Sequence, residues 1–257
     1  MYNDMINEWN EKGYVNIPNL FTENEIKEIR QEGIKLLNQR NPNWKEDGME
    51  GSQPYKFPNN QSQIFENLMR DSRLIDLVKV LIRNDIRPDS DIQVTQTWMY
   101  FKPPGELGRD VHQNIFYTHC DWGGVLNISL AIDESTKENG CLYFYPGSHK
   151  EKIAYPIPDD WKDEERMKTN PSEWRNERGK PIFIPGTYIN GEWVDKYSKE
   201  YLPCKPGSVT FIHSHVLHGS EENKTTDMWR MSFLAGYIAK GTYVLEGHDM
   251  NRQPIDV

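Results

Sequence analysis

The chain has no long apolar run, almost no cysteine and no block of like charge, and each absence removes a class of protein. No stretch of the 257 residues approaches the roughly 18 consecutive apolar residues of a spanning helix, so no membrane association of that kind is expected. The three cysteines, Cys120, Cys141 and Cys204, are odd in number and far apart. That spacing excludes a disulfide framework and a thiolate zinc knot, and it points to a reducing cytoplasm. Lys and Arg are scattered among acids at a net charge of −9, so there is no basic stripe for a phosphate backbone and nucleic acid is not an expected partner. The opening MYNDMINEWNEKGY lacks a basic start followed by an apolar stretch, and export is not expected.

What is present is the composition of a globular protein, 36% hydrophobic and 27% charged, without repeats or low-complexity tracts. We expect a single domain over 1–257. Its front reads as helical. Tyr14 to Pro18 alternates like a short strand, and Thr22-x-x-Glu25 is a capping box ahead of Ile26, Ile29, Leu36 and Leu37 on one helical face. Leu74, Leu77, Val78, Leu81 and Ile82 mark a second helix behind Asp71 and Ser72. From Asp91 the pattern changes to strand-like segments, IQVTQTWMYF, VLNISLAI, CLYFY, SVTFIH and RMSFLAGYI, separated by turn-rich KPPGELG, KENG, PGSH and KPGS. These predict an antiparallel barrel. A polar, proline-bearing stretch at about 150–203 is too long for a plain connection and is expected to form a lid or an insert. Most of the eight tryptophans are expected in the core.

An oxygen-activating ferrous site needs protein ligands on one face of the metal only, and two histidines with a carboxylate supply them. Two ligands two residues apart on a strand point the same way, and the third arrives from a distant strand. Four blocks occur in order: YFKPPG at Tyr100 to Gly105, HQNIFY at His112 to Tyr117, ENGCLYFYPGSHK at Glu138 to Lys150, and SVTFIHSHVLHGSEEN at Ser208 to Asn223, followed by Arg230. Through these blocks, from Glu8 to about Ile238, the sequence resembles the phytanoyl-CoA hydroxylase family of iron(II)- and 2-oxoglutarate-dependent oxygenases.

The resemblance implies a mainly β fold, a double-stranded β-helix (jelly-roll, cupin-like) with flanking N-terminal α-helices. It implies Fe(II), 2-oxoglutarate and O₂ as cofactor and co-substrates, and hydroxylation of a small metabolite or biosynthetic intermediate by a monomer or homodimer. Carried over by position, His112 and His218 are the metal-binding histidines. Arg230, twelve residues after His218, partners the distal carboxylate of 2-oxoglutarate, with Ser220 as an added hydroxyl donor and Trp98 lining the pocket. One position departs from the family. Where it carries Asp, this chain has Asn114, whose amide offers an oxygen but no charge. His119-Cys120-Asp121 is a literal His-x-Asp seven residues on, but the KPPG and NGCL blocks both put His112 at the family position; Asp121 is kept as an alternative carboxylate.

Three other readings of Asn114 stand beside hydroxylation. They are a halogenase with a halide in the carboxylate position, an impaired homologue acting as a binding or partner subunit, and a substitution introduced for a natural Asp. His213 and His215 read as structural, His149 closes a Pro-Gly-Ser-His turn and His248 lies in the polar tail, so neither of these two is a favoured ligand, and Gly140 and Gly147 read as turn residues. Lys102, Pro103 and Pro104 are assigned to a turn without chemistry.

Overall fold

In the computed structural model, which describes residues 2–40, 55–85, 90–114, 125–150, 195–242 and 254–257, the capping box is in place. The Thr22 N–H donates to Glu25 Oε2 at 2.7 Å and the Glu25 N–H to Thr22 Oγ1 at 3.4 Å, satisfying donors that a helix start leaves free. Helix α2 (Glu23–Arg40) follows and buries Ile26, Ile29, Leu36 and Leu37. Helix α4 (Ser72–Asp85) is capped by Asp71, whose Oδ1 accepts the Arg73 N–H at 2.9 Å, so Ser72 already lies inside the helix. Helices α1 (Tyr2–Lys12) and α3 (Gln63–Met69) were not expected; α1 shows only Met5 and Trp9, one turn apart, to the core.

The expected strand segments are strands β1 (Tyr14–Ile17), β3 (Ile92–Lys102), β5 (Val125–Ala131), β6 (Leu142–Phe144), β8 (Val209–His213) and β10 (Arg230–Ala239). The structure adds β2 (Tyr55–Lys56), β4 (Arg109–His112), β7 (Glu200–Leu202), β9 (His218–Ser220) and β11 (Ile255–Asp256), all too short to show a period. Among the described residues they form two antiparallel sheets. The larger runs β1-β8-β5-β10-β3-β11, with β2 also on β3, and the smaller runs β4-β9-β6-β7. This is a double-stranded β-helix. Of the stretch expected as lid or insert, 151–194 lies outside the described residues, and its end supplies β7.

Each strand of the large sheet is two-sided. Leu126, Ile128, Leu130, Val209, Phe211, Met231, Phe233 and Ala235 turn outward and pack with α2, α3 and α4 in one core cluster. Their neighbours in sequence turn into the barrel. In β3 the alternation is reset. Gln96 pairs with Gly236 but Val94 pairs with Tyr237, so Thr95 is an inserted residue, a β-bulge. Before it Ile92 and Val94 face the helices, and after it Met99 and Phe101 do. Trp98, Tyr100 and Lys102 therefore face the interior.

The turn into β8 needs glycine. Gly207 has φ +86°, and a Cβ there would lie 2.3 Å from the Phe21 carbonyl oxygen. Gly105 has φ +77° with nothing within 4 Å. We expect Gly105→Ala to cost about 1 kcal/mol, backbone strain alone, and Gly207→Ala clearly more, because its collision is with backbone. Urea unfolding of the two variants checks this; equal losses would contradict the steric account.

Candidate functional site

The strand registers fix two levels inside the barrel. At one, Lys102 of β3 pairs with Arg230 of β10, and Lys102 Nζ donates across to Ser220 Oγ of β9 at 3.1 Å. At the other, Gln96, Gly236, Asn127, Ile212 and Tyr14 lie side by side on five strands. There the Tyr14 ring stacks on Phe144 at 4.0 Å and its hydroxyl donates to Glu200 at 3.0 Å. Phe144 is the register partner of His218, and His218 of His112. His218 and Ser220 are two residues apart on β9, so the histidines lie about one pleat repeat, ~7 Å, from the contact between Ser220 and Lys102, whereas Gln96 and Gly236 lie six residues along β3 and β10 from Lys102 and Arg230.

His112 and His218 are both buried, with ring centroids 4.3 Å apart at an interplanar angle of 49°. Gln113 points the other way, and its amide donates to the His215 carbonyl at 2.6 Å, tying the end of β4 to the turn before β9. His218 Nδ1 lies 2.9 Å from the Val216 carbonyl. A carbonyl only accepts, so Nδ1 carries the proton and Nε2 keeps a lone pair. Burial, with Arg109 adding repulsion, holds the His218 imidazole well below its ordinary value, at about 4. It is neutral at pH 7, the form that binds metals. Asn114, two residues after His112, is buried as well. Among the described residues no group of three His, Cys, Asp or Glu side chains is placed to hold a metal, so Asn114 is the described candidate for a third donor. Asp121, His119 and Cys120 lie outside the described residues, as does His248.

Arg230 is buried, and its Nε has no hydrogen-bond partner. Burial lowers its pKa to about 10, opposed by Cys141, Cys204 and Asp133. Asp133 is engaged elsewhere, accepting from Arg30 Nε at 2.7 Å and the Met231 N–H at 2.9 Å. A cavity lined by Ser129, Ala131, Leu142, Thr210 and Ser232 opens at the guanidinium. Asp133 also lines this cavity; a buried guanidinium whose Nε is unused among the described residues, facing a cavity, fits an anionic ligand. Trp98 faces the interior between the two levels, paired with Leu234, and its buried Nε1 also lacks a partner.

The turn assignment of Lys102 is corrected. It ends β3 inside the barrel, 4% exposed, with Nζ donating to Ser220 Oγ and to the Glu221 carbonyl. Burial, followed by the nearby Arg230 charge, lowers its pKa to about 7. The sequence carried a signal for it, since Lys102 has the parity of Trp98 on the same strand. His213 faces the helices, 5.4 Å from the Trp9 ring and 5.1 Å from His149, and its Nδ1 accepts the His215 N–H at 3.0 Å. His215 lies in the turn after β8, so a parity count from His213 to His218 does not run along one strand. Gly140 and Gly147 have φ +85° and +83°, as turn residues.

A two-sheet barrel with paired buried imidazoles and, beyond Ser220, a buried guanidinium defines a double-stranded β-helix of the oxygenase type. The match to the phytanoyl-CoA dioxygenase family spans residues 9–232, and the chain belongs to that family. It is 26% identical over 261 residues to a probable alpha-ketoglutarate-dependent hypophosphite dioxygenase of Stutzerimonas stutzeri, covering 96% of this chain and 82% of that one. It is 32% identical over 142 residues to phytanoyl-CoA dioxygenase domain-containing protein 1 of Danio rerio, a match over 53% of this chain and 42% of that protein's length. Among solved structures, that of EctD from S. alaskensis with 2-oxoglutarate and 5-hydroxyectoine superposes with a TM-score of 0.72 at 17% identity, over 99% of this chain and 84% of EctD. Among the described residues no helix is long and apolar enough to cross a membrane.

The Lys102 environment predicts a pH effect on stability. Its folded pKa lies near 7 and its ordinary value at 10.5, so between them the unfolded chain binds more protons and stability rises with pH. We expect the ligand-free protein to gain stability relative to Lys102→Met as pH is raised from 7 to about 10 in urea titrations. A difference that stays constant over this range would rule the assignment out.

Proposed function

We propose that the chain is an iron(II)- and 2-oxoglutarate-dependent oxygenase that hydroxylates a C–H bond of a small, hydrogen-bonding molecule. One observation carries the reading. Two buried, register-paired imidazoles lie on β4 and β9, and beyond Ser220 lies a buried guanidinium whose Nε has no hydrogen-bond partner among the described residues. In this reading His112 and His218 hold the iron, and the Asn114 amide oxygen takes the place of the family's carboxylate. The donor set suits a ferrous ion, with two neutral imidazoles and one hard oxygen. Arg230 and Ser220 receive the distal carboxylate of 2-oxoglutarate.

When bound, the metal supplies the oxidative decarboxylation of 2-oxoglutarate by O₂ to succinate and CO₂, with the second oxygen atom inserted into the substrate C–H bond. The chain's own residues bind, orient and exclude water. Val216 fixes the proton on His218 Nδ1, and Gln113 fixes the end of β4 that carries His112. Farther along the large sheet the inner wall is amide-rich. Asn127 Oδ1 is buried without a partner, and a Cβ at Gly236 would come 3.1 Å from it and 3.0 Å from Gln96 Cγ. A wall with unused hydrogen-bonding capacity supports a small polar substrate over a long hydrocarbon chain. The hypophosphite dioxygenase relative and the hydroxyectoine-bound EctD, whose named ligands are small and polar, support the same class. Asn114 is buried and nearly the size of Asp, so in this reading it would occupy the space that a halogenase leaves for halide, which favours hydroxylation.

Anaerobic titration with ferrous iron and 2-oxoglutarate should give a weak visible charge-transfer band. The band is expected to vanish in His112→Ala and His218→Ala and to persist in His213→Ala; equal loss in all three would overturn the metal site. Arg230→Ala should raise the 2-oxoglutarate concentration required by about one to two orders of magnitude, the worth of lost charge-assisted hydrogen bonds, with iron affinity little changed. Asn114→Asp should tighten ferrous binding and keep succinate formation. If Asp121→Ala is the damaging change instead, Asp121 supplies the carboxylate. A chloride requirement lost in Asn114→Asp would mean a halogenase.

A further inference from the structure

Ser220 Oγ stands at the centre of a small buried network. It accepts from Lys102 Nζ at 3.1 Å and from the Arg109 backbone N–H at 3.2 Å. A hydroxyl has two acceptor lone pairs and one hydrogen. With both lone pairs taken by donors, only the hydrogen is left, and it can serve only as a donor. While it is protonated, Lys102 removes the alternative in which Ser220 turns its hydrogen toward a neighbour and offers a lone pair to a ligand.

The ammonium that imposes this is seated by three elements. Glu221 accepts one of its hydrogens through the backbone carbonyl, Ser220 another, and Gly140 leaves the space. A Cβ at Gly140, which has φ +85°, would lie 2.9 Å from Lys102 Nζ and 2.5 Å from the Glu221 carbonyl oxygen. Packing alone does not explain the ammonium, because its nearest strand partner is another buried cation, Arg230. Two buried like charges oppose folding and favour an entering anion.

We propose that Lys102 is a positioning residue for the co-substrate: it commits the Ser220 hydroxyl as a hydrogen-bond donor to the distal carboxylate received by Arg230. This rests on the 2-oxoglutarate reading above and assigns a role to a residue outside the metal and guanidinium sites. Lys102 acts through Ser220, so its effect depends on Ser220 being present and on the ligand carrying a distal carboxylate.

The test is a double-mutant cycle on the full chain loaded anaerobically with Fe(II), with binding read by calorimetry rather than turnover. Lys102→Met should raise the Kd for 2-oxoglutarate roughly five- to tenfold when Ser220 is present and less than about twofold in the Ser220→Ala background. Binding of 2-oxopentanoate, of the same length but without the distal carboxylate, should be weak and indifferent to Lys102→Met. Lys102→Gln runs through the same cycle as a second uncharged variant and should show the same dependence on Ser220. Equal losses with and without Ser220, an unchanged Kd, or an equal loss for 2-oxopentanoate would overturn the role. If the parent protein binds no 2-oxoglutarate at all, it is the oxygenase reading that fails.

Discussion

Two like charges lie paired across adjacent strands inside the barrel, Lys102 on β3 and Arg230 on β10. Their burial is the constraint around which the rest is arranged. An unpaired buried charge costs several kcal/mol, and here two are set together; the acids that act on them, Glu106 and Glu221 on Lys102 and Asp133 on Arg230, do not offset the burial that lowers both pKa values. The opposite face of the same strands offsets this. Met99 and Phe101 on β3, and Met231, Phe233 and Ala235 on β10, lie in the main hydrophobic cluster with the helices. The large sheet carries the stability on one side, and its other side holds the charge.

The interior is also polar along its length in an ordered way. One end is cationic, while at the other burial keeps His218 unprotonated and its Nδ1 hydrogen is spent on the Val216 carbonyl. On the proposed reading, a ligand with a carboxylate at one end and a chelating group at the other has one favourable direction, carboxylate toward Arg230. The separation comes from strand register alone. His218 and Ser220 are two residues apart on β9, so they point to the same side and are displaced by one pleat repeat of about 7 Å.

Much of this was legible in the sequence, and what was not has physical causes. The capping box at Thr22 and the apolar periodicity of α4 mark helices because both signals are local. The long strands β3, β5, β8 and β10 carry enough residues to show alternation. Strands β4 and β9 hold the two histidines but have only four and three residues, too few for any period, so His112 and His218 were found by their motif and not by their strands. Arg230 could be read as an anion partner because a charge opening an apolar strand needs one. Lys102 was missed for the opposite reason: two prolines follow it, and the turn signal they give concealed the strand end that buries the ammonium. Asn127 was also missed, since an amide within an apolar run gives no sign of whether a partner is present.

The bulge at Thr95 makes β3 a strand written in two frames. Before it the even-numbered residues belong to the hydrophobic core, and after it the odd-numbered ones do, so Trp98, Tyr100 and Lys102 reach the cavity only because one extra residue precedes them. Point changes along β3 alter single contacts, but losing one residue between Val94 and Trp98 would act as a frameshift does in a message. Met99 and Phe101 would be sent into the cavity and the ammonium among the helices. For this part of the fold, the number of residues constrains the site more strictly than their identities do.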